Sequence, residues 1–111
     1  MNIEEISATD ASSAVAAGAF LLDVRNDDEW AAGHAPNAHY VTLSEIPDRL
    51  GEIPSDQNIV VVCRAGGRSL KAAEFLVAQG YRAANLTGGM QAWAASDLDI
   101  IDSDGNPGAV I

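Results

Sequence analysis

Two apolar runs do most to limit what this chain can fold into. AFLLDV (19–24) and IVVVC (59–63) are almost continuous in apolar residues, and a shorter run lies around 83–86. A strand that buries one face alternates apolar and polar residues. Runs without alternation fit strands covered on both faces, as in a parallel sheet beneath helices. Helical periodicity falls between the runs. TDASSAVAAG (9–18) offers Thr9 or Asp10 as an N-cap and Gly18 as a stop. SEIPDRLG (44–51) reads as a short helix with Pro47 in its first turn. SLKAAEFLVAQG (69–80) is the strongest helix: Ser69 as cap, Leu70, Ala73, Leu76 and Val77 as an apolar stripe, Gly80 as the end. Gly88 and Gly89 precede a last short helix, MQAWAA. Strands alternating with helices predict an α/β fold, with a mostly parallel sheet covered on both faces.

At 111 residues the chain is read as one domain over 1–96, followed by an acidic, turn-rich tail over 97–111 that is expected to be loosely held. No apolar stretch approaches the ~18 residues of a membrane span, and MNIEEISATD does not read as a signal peptide. A single cysteine excludes an internal disulfide and fits a reducing, cytoplasmic setting. The net charge of −10 argues against nucleic acid or an anionic membrane as partner. That charge is uneven. Residues 1–56 carry eleven acids against two bases, and residues 97–111 four acids and no base. Residues 57–96 hold four bases (Arg64, Arg68, Lys71, Arg82) and one acid, Glu74, which suggests a local anion site.

That basic segment contains CRAGGRS (63–69) at the junction of strand and helix. In a parallel sheet, ligands collect at the carboxyl ends of the strands, near the topological switch point. A short loop between strand and helix can turn several backbone N–H groups inward and form an anion cradle. Gly66 and Gly67 permit the dihedrals this needs, and the helix adds its unsatisfied N–H groups and the positive end of its dipole. A cysteine facing such a cradle is held toward the thiolate, the nucleophilic form. Arg64 and Arg68 add planar donors suited to an oxyanion. A lone cysteine after a valine run is ordinarily inert core, and the RAGGRS sequel sets this one apart. The phosphate-binding pattern G-x-x-x-x-G-K-[ST] and dinucleotide fingerprints are absent.

CRAGGRS resembles the active-site loop of the rhodanese sulfurtransferases. LLDVRNDDEWAAGHAPNAHYVTL (21–43) resembles the upstream signature of that family, and LTGGMQAW (86–93) its downstream Gly-Gly-x-x-x-Trp element. The resemblance implies a single rhodanese domain: a roughly five-stranded parallel, twisted sheet with helices on both faces. It implies that Cys63 accepts sulfane sulfur as a persulfide, with Arg64, Ala65, Gly66, Gly67, Arg68 and Ser69 binding the substrate and the persulfide. The implied donor is a small molecule such as thiosulfate. The implied acceptor is cyanide or a cellular thiol, that of a protein included, and a persulfide relay to one specific partner is the alternative function. No metal or organic cofactor is implied. Ala35 and Asn37 depart from the usual residues around Pro36.

The other marked residues read as structural. Asp23, Arg25 and Glu29 form a charge-paired scaffold at a strand end, His34 is a hydrogen-bonded structural histidine, and Trp30 and Trp93 belong to the core. His39 has no motif around it, and DSDGN (102–106) is a turn. Related phosphatases and arsenate reductases have one residue more between cysteine and arginine than the four here. The smaller ring should fit a persulfide sulfur and crowd a tetrahedral phosphate.

Overall fold

The computed structural model describes residues 2–111. Five parallel strands form one sheet: β1 (Glu4–Ile6), β2 (Phe20–Asp23), β3 (His39–Tyr40), β4 (Asn58–Val62) and β5 (Arg82–Leu86). Their order is β1-β5-β4-β2-β3. Among the described residues three helices connect strands, α1 (Ala8–Ala16), α2 (Asp27–Ala32) and α3 (Gly67–Ala78), and a fourth, α4 (Gly89–Ala95), follows β5. A 3-10 segment (Leu43–Glu52) leads from β3 toward β4. This is the parallel α/β architecture expected from the apolar runs. Among the described residues, no helix is long and apolar enough to cross a membrane.

β4 lies at the centre of the sheet, and its side chains divide between two cores. Ile59, Val61 and Cys63 face Ala72, Ala73 and Leu76 of α3 and Ile46 of the 3-10 segment. Val60 and Val62 face Ala8 and Ala11 of α1 and Met90 and Trp93 of α4. Both faces are buried, which is why this run carries no polar alternation. The chain steps from β2 outward to β3 on one side and from β4 to β5 on the other. The switch point therefore lies between the carboxyl ends of β2 and β4, where Asp23 and Cys63 sit.

Three local expectations change. The cap of α1 is Ser7, whose hydroxyl accepts the Asp10 N–H at 3.1 Å, rather than Thr9 or Asp10. Helix α3 begins before Ser69, after Gly66 in the left-handed region at φ 115°. Ser69 therefore lies in its first turn, and the buried stripe is Ser69, Ala72, Ala73 and Leu76. Finally, the acidic tail is tied down rather than loose. Ile101 and His34 exchange two backbone hydrogen bonds of 2.9 Å, and the Ala109 N–H donates to Ala32 O at 2.9 Å. Leu98, Ile100 and Val110 pack on the α1/α4 core. Within the tail, Asp102 Oδ1 accepts the N–H groups of Asp104 and Asn106, so DSDGN is a turn.

Candidate active site

Cys63 follows the last residue of β4 and is only 1% exposed. The turn after it reverses direction tightly enough for the Gly66 N–H to reach back to Sγ at 3.0 Å. That geometry needs a left-handed residue at Gly66, where a side chain would be strained. The Ser69 hydroxyl lies 3.2 Å from the same sulfur. Burial is the largest single influence on this thiol and pushes its pKa up. The Ser69 hydroxyl and the amides of Ser69, Gly66 and Ala65 together outweigh it, and the net shift is down.

The loop amides can face the sulfur because its carbonyls are taken up elsewhere. The first-turn N–H groups of α4 have no partner within their own helix. Met90 N–H donates to Cys63 O at 2.8 Å, and Gln91 N–H to Arg64 O at 3.1 Å. This docking brings the backbone of Gly89 against that of the loop. A Cβ at Gly89, which has φ 58°, would overlap the Cys63 carbonyl oxygen and lie 2.6 Å from Arg64 C. The Gly-Gly of LTGGMQAW is thus the seat on which the cysteine loop rests.

Both arginines already have protein partners. Arg68 forms a bidentate pair with Glu29, Nη1 to Oε1 at 2.7 Å and Nη2 to Oε2 at 2.9 Å. Hydrogen bonding from Arg68 is the main reason that the Glu29 carboxyl falls to about 2, against the opposing effect of burial. The Cys63 thiolate in turn adds to the stabilisation of the Arg68 cation, after Glu29 itself. Arg64 Nε donates to Ile111 O at 2.8 Å, and with the Gln91 amide oxygen turned toward it, its Nη1 reaches that oxygen at 2.9 Å. The two guanidinium groups thus bring positive charge to the loop, while their donors point at protein acceptors. The main-chain amides and the Ser69 hydroxyl are what converge on the sulfur.

The scaffold residues sort differently from the expected trio. Asp23 and Arg25 are fully buried and pair at 2.7 Å, and Arg25 Nη2 also donates to Gly33 O at 2.8 Å. Glu29 instead joins α2 to the cysteine loop through Arg68. His34 Nδ1 lies 2.7 Å from Trp30 O, which fits the structural role expected of it. Trp93 is core, whereas Trp30 is half-buried, stacked between His34 and Tyr40. His39 pairs with Glu52.

A residue that the sequence did not mark, Asn85, completes the site. Asn85 of β5 is buried and accepts the Ser69 hydroxyl at 2.6 Å through Oδ1. Its Nδ2 donates to Gly66 O at 3.1 Å and to Glu5 Oε2 at 3.1 Å. Thr87 Oγ1 donates to Glu5 at 2.8 Å.

Comparison with known proteins agrees with this geometry. The family model described as Rhodanese-like domain matches residues 7–96. A protein of Allochromatium vinosum named sulfurtransferase is 43% identical over 86 residues, covering 77% of this chain and 80% of its own. A putative sulfurtransferase of Bacillus subtilis, YtwF, is 36% identical, covering 84% and 92%. Among solved structures, a rhodanese-like domain protein from Staphylococcus aureus superposes with TM-score 0.77 at 34% identity, covering 82% of this chain and 91% of its own. A rhodanese-related protein from Thermoplasma volcanium reaches 0.83 at 28% identity, covering 88% and 97%. With that family-model match over most of its length, and with the sheet and the cysteine loop that accompany it, the chain belongs to the rhodanese-like domain family.

Proposed function

We propose that this protein is a sulfurtransferase that carries sulfane sulfur on Cys63, with thiosulfate as a donor and cyanide or a thiol as acceptor. The Cys63 thiolate attacks the outer sulfur of thiosulfate. The S–S bond of the donor breaks, and sulfite leaves with the bonding pair. Cys63 then holds a persulfide whose outer sulfur is anionic. An acceptor nucleophile attacks that outer sulfur, and the Cys63 thiolate departs with the pair. The amides of Arg64 to Ser69 act as preorganised donors for the outer sulfur, which needs no rearrangement when charge arrives there. Arg64 and Arg68 favour approach of a dianion through their field.

The observation that carries this reading is the placement of Sγ beneath the Gly66 amide and the Ser69 hydroxyl at the carboxyl end of β4. The outer faces of Arg64, Ala65 and Gly67 are exposed, so a small thiol or a thiol on a partner protein has room to approach the loop. Intact-mass measurement is the test. Thiosulfate should add the mass of one sulfur atom, cyanide should remove it, and Cys63→Ser should show neither. Thiosulfate-to-cyanide turnover that survives Cys63→Ser at a comparable rate would overturn the proposal.

A further inference from the structure

Ser69 is asked to satisfy two acceptors with one proton. Its hydroxyl lies 2.6 Å from Asn85 Oδ1 and 3.2 Å from Cys63 Sγ. A serine hydroxyl donates once, and both an amide oxygen and a thiolate only accept. All three residues are buried, at 0%, 3% and 1% exposure, so no bulk water stands ready to supply a missing donor. The Asn85 amide is also locked in orientation. Turning it over would set its oxygen against Gly66 O and the Glu5 carboxylate, the groups to which Nδ2 now donates.

We propose that Asn85 is a positioning residue for Cys63, competing with the sulfur for the single hydroxyl proton of Ser69. The inference rests on Cys63 being the sulfur carrier only for its catalytic meaning. While the sulfur is a thiol, its S–H points at Ser69 Oγ and the Ser69 O–H points at Asn85 Oδ1, three groups in series. When the thiol loses its proton to solvent, the Ser69 O–H swings to the sulfur and Asn85 Oδ1 is left without it. When the charge moves out to the terminal sulfur of a persulfide, Sγ is neutral and the proton returns to Asn85. The hydroxyl thus follows the charge, and Asn85 tempers the thiolate.

The charged groups around Cys63 are Arg68 on α3, Arg64 in the loop, Glu29 on α2, the Asp23–Arg25 pair at the end of β2, and Glu5 on β1 behind Asn85. Helix α4 presents Gly88, Gly89 and Met90, which do not titrate. Leucine at position 85 has nearly the same shape and no acceptor; it also removes the Nδ2 donor to Glu5 and Gly66 O, a loss that is the same whether or not Ser69 keeps its hydroxyl.

The test is the pH dependence of Cys63 alkylation by iodoacetamide, which reads the thiolate with no sulfur donor present. Below the midpoint, Asn85→Leu should be alkylated about fivefold faster than the parent, the gain expected when one neutral competitor for a hydrogen bond is removed. In a Ser69→Ala background, where the shared proton is absent, that gain should vanish, leaving only the effect of the lost Nδ2 contacts that both backgrounds share. Equal effects in both backgrounds, no effect in either, or slower alkylation would each overturn the inference. If Asn85→Leu does not fold, Asn85→Ala carries the same expectations. Because alkylation needs no sulfur transfer, a protein that failed as a sulfurtransferase could still pass this test, and the reverse.

Discussion

Glu29→Gln should cost about 2 kcal/mol of stability at neutral pH, and the cost should fade on acidification. The carboxylate is 11% exposed and takes two short hydrogen bonds from Arg68, which is 35% exposed. Its pKa falls from the ordinary 4.5 to about 2, which at about 1.36 kcal/mol per pH unit corresponds to about 3.4 kcal/mol. Solvent around the partly exposed Arg68 end screens the pair, and roughly 2 kcal/mol is the discounted figure. The folded value lies below the unfolded one, so this contribution is complete above about pH 4.5 and is lost as pH falls toward about 2. Glutamine keeps the shape and one acceptor, including the oxygen that takes the Asn26 N–H at 3.0 Å, so the variant isolates the charge. Urea unfolding of parent and variant, near neutrality and in steps down to about pH 3, reads the difference directly. A gap that stays constant with pH, or no gap at neutrality, would refute the assignment of Glu29 as a charged tie between α2 and the cysteine loop.

Other consequences follow from the seat and from the two guanidinium groups. Gly89→Ala combines overlap with the Cys63 and Arg64 backbone with left-handed strain on the order of 1–3 kcal/mol. It should lower the melting temperature and remove sulfur uptake, and a variant with parental uptake would mean that α4 does not shape the loop. Arg68→Ala leaves the Glu29 carboxylate uncompensated near Cys63, so kcat/KM for thiosulfate should drop roughly tenfold or more, with slower thiol alkylation near neutral pH. Arg64→Ala removes an exposed charge and its surface hydrogen bonds to Ile111 O and Gln91, and leaves no carboxylate uncompensated. It should raise KM by at most about fivefold and flatten its salt dependence. Equal losses in the two arginine variants, checked by steady-state kinetics, would contradict that division.

The central strands were legible because burial on both faces writes itself into composition. β2, β4 and β5 lie within or beside the apolar runs. The edge strands were not. Glu4–Ile6 and His39–Tyr40 are three and two residues long and half-buried or exposed, too short for any period to show. Helix α2 has six residues and no apolar stripe. Its start is marked by Glu29, whose carboxylate accepts the Asn26 N–H at 3.0 Å while also holding Arg68, a contact far away in sequence. The tail misled through its aspartates: Leu98, Ile100, Ile101 and Val110 are spaced among them, and their docking depends on surfaces far away in sequence.

In the site, the cysteine loop was legible because its chemistry is contiguous, from Cys63 to Ser69. What the sequence could not show is how the loop is held. Ser69 is a favoured capping type, yet the left-handed Gly66 starts the helix earlier and turns the serine hydroxyl onto the sulfur. Asn85 reads as an ordinary strand residue, and only the pairing of β5 with β4 and β1 brings it between Ser69, Gly66 and Glu5. The same logic joins the three segments of the family signature. The upstream segment supplies Glu29 to hold Arg68. The downstream segment supplies the α4 amides that take up the Cys63 and Arg64 carbonyls. A peptide plane whose carbonyl is bound on one side must present its N–H on the other, so the cradle facing the sulfur is built largely from outside the loop that bears it. A substitution in either flanking segment should therefore act on the reactivity of Cys63 without touching the cysteine.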